Sequence, residues 1–143
     1  MMKNLIGKVH DSMYRQCKSR GFAAPVDVLM DIGVLDKKKY DDWRHGHVPY
    51  LEAVCTVNLH KLSEIMKVVR AYAAANDLKS SFTDYRQVGS KDRKLRFSKS
   101  ANPAIEKSYA THYVVINDAL SRMGENDSID RVDLLLNQHM FNS

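Results

Sequence analysis

Between residues 20 and 50 this chain is punctuated by Gly21, Pro25, Gly33, Gly46 and Pro49. Glycine turns a helix end through a positive φ, and proline fits the first turn of a helix but not its interior. Such punctuation permits only short helices here, and the apolar residues between the breaks show which faces they bury. Lys3 to Arg20 places Leu5, Ile6, Val9, Met13 and Cys17 at steps of three and four, the stripe of an amphipathic helix. Gly21 ends that helix, with Lys18 and Arg20 in its last turn, where cations suit the dipole. Pro25 opens a second helix that buries Val28, Leu29 and Ile32 and stops at Gly33. Asp36 is a good N-cap for a third, Lys37 to His45, with Tyr40 and Trp43 on one side. Gly46 terminates it and Pro49 opens the next.

The fourth helix is expected to be the longest, roughly Tyr50 to Asn76. Its apolar positions are Leu51, Cys55, Leu59, Leu62, Met66, Val69 and Ala73. From Cys55 onward this is heptad spacing, which suits either the domain core or a homodimer contact through the long helix. At Lys79 the pattern changes. SSFTDYRQV and RKLRFSKS alternate around the turn GSKD, which reads as a β-hairpin with a basic tip. Asn102-Pro103 breaks the chain, and residues 109–116 read equally as strand or helix start. Ile129, Val132, Leu136 and Met140 mark a last amphipathic helix, with Ser128 near its start. The fold class expected is mainly α (α+β), one domain over 1–143. It comprises a helical part over 1–76, a basic hairpin region over 79–116 and a C-terminal helix over 128–141.

Chemistry is mostly excluded. The chain has 143 residues, 44% hydrophobic and 27% charged, which suits one globular domain with a real core. No apolar run approaches the ~20 residues of a membrane span. MMKNLIGKVHDSMYRQ lacks the continuous apolar region of a signal peptide, so the expected location is cytoplasmic. Cys17 and Cys55 fall on apolar helix faces and read as free buried thiols. No paired Cys/His spacing suggests zinc, and His45 and His47, on either side of Gly46, would need a third ligand from elsewhere. There is no Gly-x-Ser-x-Gly, glycine-rich phosphate loop or dinucleotide fingerprint, so no catalytic residue, metal or cofactor is implied.

Charge is more informative. The formal net charge is +5. Lys79, Arg86, Lys91, Arg93, Lys94, Arg96 and Lys99 face only Asp84 and Asp92 within one segment, which holds the whole excess. A localised surplus points to an anionic partner. Alternation puts Arg93, Leu95 and Phe97 on one face of the hairpin and Lys94, Arg96 and Ser98 on the other. Phe82, Tyr85 and Phe97 offer stacking surfaces for single-stranded bases. The same charges also suit a solvated edge guarded against aggregation.

Residues 25–52 resemble the phage-repressor type of helix-turn-helix. The elements that carry the resemblance are Ile32-Gly33-Val34, Asp36, Trp43, Gly46, Pro49, Leu51 and Glu52. The interval from Gly33 to Trp43 is one residue longer than in that family, and Asp41 and Asp42 sit where phosphates would repel them. The resemblance implies a short helix that enters a major groove, with Lys37, Lys38, Lys39 and Arg44 contacting DNA. A buried helical corner with Trp43 in the core fits the same residues. The basic hairpin that follows resembles the wing of winged-helix proteins. That likeness implies phosphate contacts from Arg86, Lys91, Arg93, Lys94, Arg96 and Lys99. WRHGHVPYLE, NLHKLS and LRFSKSANPAIEKSYATHYV also resemble a family of small bacterial proteins, a likeness that implies no activity. The expected function is nucleic-acid binding, DNA first. The alternative is a protein-interaction or structural module with no nucleic-acid role.

Overall fold

A computed structural model describes residues 2–116 together with Leu120 and Met123. The expected C-terminal helix over 128–141 lies outside the described residues. Helices α1 (Met2–Arg20), α2 (Pro25–Asp31), α3 (Lys37–Arg44), α4 (Leu59–Ala75) and α5 (Pro103–Ala110) surround a small sheet. Its strands are β1 (Phe22–Ala23), β2 (Lys79–Phe82) and β3 (Thr111–Val114). The order is β1-β3-β2 and both pairings are antiparallel, with Phe22 opposite Val114 and Phe82 opposite Thr111. The chain is therefore mainly α with a minor β component.

The first helices form as their stripes dictate. Leu5, Val9, Met13 and Cys17 of α1 are buried, as are Ile65, Val69 and Tyr72 of α4, the helix that packs on α1. Gly21, Gly33 and Gly46 all hold positive φ and end α1, α2 and α3. Pro25 stands at the start of α2. A polar corner locks α1 to α2: Ser12 Oγ donates to Asp31 at 2.6 Å, and Gln16 Oε1 accepts from the Ala24 amide at 2.9 Å. Asp36 occupies the N-cap position of α3, but its side chain accepts no capping hydrogen bond.

Three expectations need correction. The fourth helix does not run from Tyr50. Leu51–Val54 is a separate 3-10 turn, and α4 begins at Leu59, where the Asn58 side chain caps the Lys61 amide at 2.9 Å. The break follows from where the intervening amides go. Leu51 and Glu52 donate to the carbonyls of Arg96 and Phe97, and Thr56 donates to Val34, so the backbone is pulled out of helix. At 17 residues α4 is shorter than the 19-residue α1. Its heptad face is occupied within the chain: Leu62, Met66, Val69 and Ala73 are buried in the core, while Leu59 is exposed.

The hairpin forms only in its inner half, around the expected turn, and its outer half pairs elsewhere. SSF pairs with β3. Tyr85 to Leu95 makes only a short ribbon around a single bridge between Arg86 and Lys94, with Leu95 N donating to Tyr85 O at 2.7 Å and Gln87 N to Arg93 O at 2.8 Å. Residues 103–114 resolve into helix, then strand. Asn102-Pro103 is a helix start, not merely a break: the Asn102 side chain accepts from the amides of Ala104 and Ile105.

Candidate nucleic-acid interface

Trp43, near the end of α3, holds the corner to the rest of the molecule. It is fully buried, and its Nε1–H donates to the Arg96 carbonyl at 2.8 Å. Its ring lies against Tyr85, Phe97 and Tyr40, at centroid distances of 5.6, 5.2 and 6.0 Å. An aromatic group this large, desolvated and hydrogen-bonded, fixes its neighbours strongly. It pins the segment 85–97 underneath α3. Gly46 lets the same segment approach from the other end. It adopts φ +79°, and a Cβ there would strike the Gln87 side chain.

Two carboxylates hold the following stretch. Glu106 of α5 accepts from the amides of Phe97 (3.0 Å) and Ser98 (2.6 Å) and from the Ser98 hydroxyl. Glu52 accepts from the Lys99 amide (3.0 Å) and the Tyr109 hydroxyl (2.9 Å). Burial and the Glu52 carboxylate together raise the Tyr109 phenol far above its ordinary range. Charge-assisted bonds of this kind are roughly twice as strong as neutral ones. The three stretches WRHGHVPYLE, LRFSKS and PAIEKSYATHYV thus meet at one place. Glu106 was not singled out in the sequence and Glu52 was named only for the helix-turn-helix likeness, although an acid in the first turn after Asn-Pro was a helix-start signal there to be read.

The ten cations singled out in the sequence divide into two sets. In the first, the charge is engaged within the chain. Lys37 Nζ pairs with Asp41 at 2.9 Å and lies 4.9 Å over the Tyr40 ring. Arg44 donates to the Tyr40 hydroxyl (3.3 Å) and the Arg86 carbonyl (3.2 Å) and faces the Tyr85 ring. Its backbone carbonyl accepts from Val88, so Arg44 acts as a latch between α3 and the loop. Arg86 and Lys94 both pair with Asp84, at 3.3 and 3.1 Å; the hydrogen bond from Lys94, then its charge and that of Arg86, hold that carboxyl below its usual range. Arg96 closes its own turn onto the carbonyls of Ser98 and Lys99, at 2.7 Å each, with its guanidinium over the Tyr50 ring. In the second set, Lys38, Lys39, Lys91, Arg93 and Lys99 are exposed and make no ion pair among the described residues.

The offered stacking platform is mostly absent. Tyr85 and Phe97 are buried. Phe82 is 58% exposed but lies beneath Lys107, in a recess it shares with Lys94 and Arg96. Leu95 and Phe97 face inward as alternation requires, and Ser98 is buried with them. His45 and His47 are exposed with ring centroids 6.1 Å apart. No cluster of three or more metal-ligating side chains occurs among the described residues. Both thiols are free, Cys17 buried and Cys55 half-buried, and desolvation raises each to a pKa of about 11. No described helix is long and apolar enough to cross a membrane.

Comparison with protein-family models, curated proteins and solved structures returns no match for this chain.

Proposed function

We propose that this protein binds nucleic acid, duplex DNA first, and that it does so in the cytoplasm. One observation carries the reading. Lys37, Tyr40, Arg44 and Arg86 contact one another in sequence, so α3 and the loop after β2 form a single support for the free cations. Lys38 and Lys39 belong to α3, and Lys91, Arg93 and Lys99 to the loop. Asp41 and Asp84 are paired inside this unit, which blunts their repulsion of phosphate. Lysines and arginines on a rigid support release counterions from a phosphate backbone, and this supplies sequence-independent affinity. The engaged cations then act as scaffold, and the free ones meet phosphate.

Fluorescence anisotropy with labelled duplex DNA, single strands and RNA at two salt concentrations tests the reading. Duplex binding is expected to weaken steeply with salt, with a slope near −0.9 for each phosphate neutralised. No binding to any nucleic acid at low salt would overturn it and favour the protein-interaction module instead.

A further inference from the structure

Next to the loop, α4, α5 and the sheet enclose an open groove of about 740 Å³. Leu62, Met66, Phe82, Ile105 and Tyr113 contribute its apolar lining. Phe82 and Ile105 are 58% and 42% exposed, and Leu59 at one margin is 59% exposed. Among the described residues they are the three most exposed large hydrophobics but for Val88, and all three line one groove. Converging exposure of that kind marks a surface built to be covered.

The charges around the groove are one-sided. Arg70 donates to the Ser108 hydroxyl at 3.2 Å, and Lys107 Nζ lies 4.3 Å over the Phe82 ring. Neither cation pairs with a carboxylate among the described residues. Among the described residues the one acid in the lining, Glu52, is engaged by Tyr109 and the Lys99 amide. The groove therefore suits an apolar stripe edged with acids.

The chain carries such a stripe beyond Met123. At 100° per residue, Ile129, Val132, Leu136 and Met140 fall within an arc of about 80°. Asp130 and Asp133 border that arc on one side. From Gly124 to Ser143 four acids, Glu125, Asp127, Asp130 and Asp133, face only Arg131. As a helix, residues 128–141 would extend about 21 Å.

We propose that residues 128–141 dock into this groove as an amphipathic helix, with apolar side chains over Phe82 and Ile105 and carboxylates toward Arg70 and Lys107. Such docking is the intramolecular form of helix-in-groove recognition.

Hydrogen exchange followed by mass spectrometry on the full chain tests it. Phe82 and Ile105 are exposed, so replacing both (Phe82→Asp with Ile105→Asp) leaves the core intact. The double variant is expected to speed exchange across 128–141 at least tenfold and leave α1 unchanged. Leu136→Asp is expected to speed exchange across 79–82 and 103–110 in return, and Arg70→Glu to give a smaller loosening of 128–141. Three results would overturn the proposal. One is free-peptide exchange of 128–141 in the parent protein. Another is exchange there that ignores the groove variants. The third is protection that disappears on dilution, which would identify a second copy as the occupant.

Discussion

The corner formed by α2 and α3 and the loop from Thr83 to Ala101 carry cations side by side, yet they are held by different means. The corner is made locally. Its helices end at Gly33 and Gly46, both at positive φ, and Lys37 pairs with Asp41 one turn along the same helix. The loop has almost no regular structure of its own. Trp43, Arg44, Glu52 and Glu106, distant in sequence, grip its backbone amides and carbonyls. The helical form of α3 is thus set locally, whereas the loop's charges stay in place only while those four side chains do.

The largest test of that contrast is Trp43→Ala. It removes a buried indole and the hydrogen bond to Arg96, and should destabilise the protein by about 3–5 kcal/mol in urea unfolding. If the contrast holds, amide exchange over 85–99 rises more than over 25–36. Equal loosening of both would break it.

Acid provides the next test, because it acts outside both regions. His10 is buried against Tyr72, neither ring nitrogen has a hydrogen-bond partner among the described residues, and desolvation lowers its pKa to about 4. The unfolded chain takes up this proton near pH 6.5, while the native state resists until about pH 4. Stability is therefore full above pH 6.5 and falls as pH drops toward 4, by up to about 3 kcal/mol from this group. His10→Leu should flatten that part of the profile and leave α3 and the loop equally protected. An unchanged pH profile would remove His10 from the explanation.

Glu106→Gln should cost about 1–3 kcal/mol, since it weakens the charge-assisted bonds to Phe97 and Ser98. Its signature is faster exchange at 97–101 with little change in α3. Gly46→Ala should cost about 1–2 kcal/mol through its left-handed backbone and its contact with Gln87, and it probes the seam between the two regions. The smallest stability effect belongs to Lys38→Gln, Lys39→Gln, Lys91→Gln and Arg93→Gln together, within about 0.5 kcal/mol of the parent.

The corner was legible in the sequence because its determinants are neighbours. Gly21, Gly33 and Gly46 stop helices within a few residues of the stripes they terminate. The β2–β3 pairing was not, because Lys79 meets Val114 only after the chain has passed through α5. Alternation in 79–99 put Leu95 and Phe97 on one face and paired Tyr85–Gln87 with Arg93–Leu95, but it missed that Lys79–Phe82 pairs with β3 and that Arg93 turns outward while Ser98 is buried. The break at Cys55–Asn58 was equally hidden, since it depends on carbonyls of residues 34, 96 and 97. At the candidate site, composition found every cation but could not tell the latch, Arg44, from the free Lys38. That distinction rests on an 86-carbonyl and a Tyr40 hydroxyl brought together by the fold.

The central claim is that α3 and the loop present one surface to a phosphate backbone. It is tested most directly by the salt dependence of duplex binding in a two-by-two set: the parent, the Lys38→Gln/Lys39→Gln pair, the Lys91→Gln/Arg93→Gln pair, and all four together. One shared surface predicts that each pair lowers the slope by up to about 1.8 on the same duplex, with the combined variant losing the sum. If either pair leaves the slope untouched, the two regions do not share a duplex and the claim is contradicted.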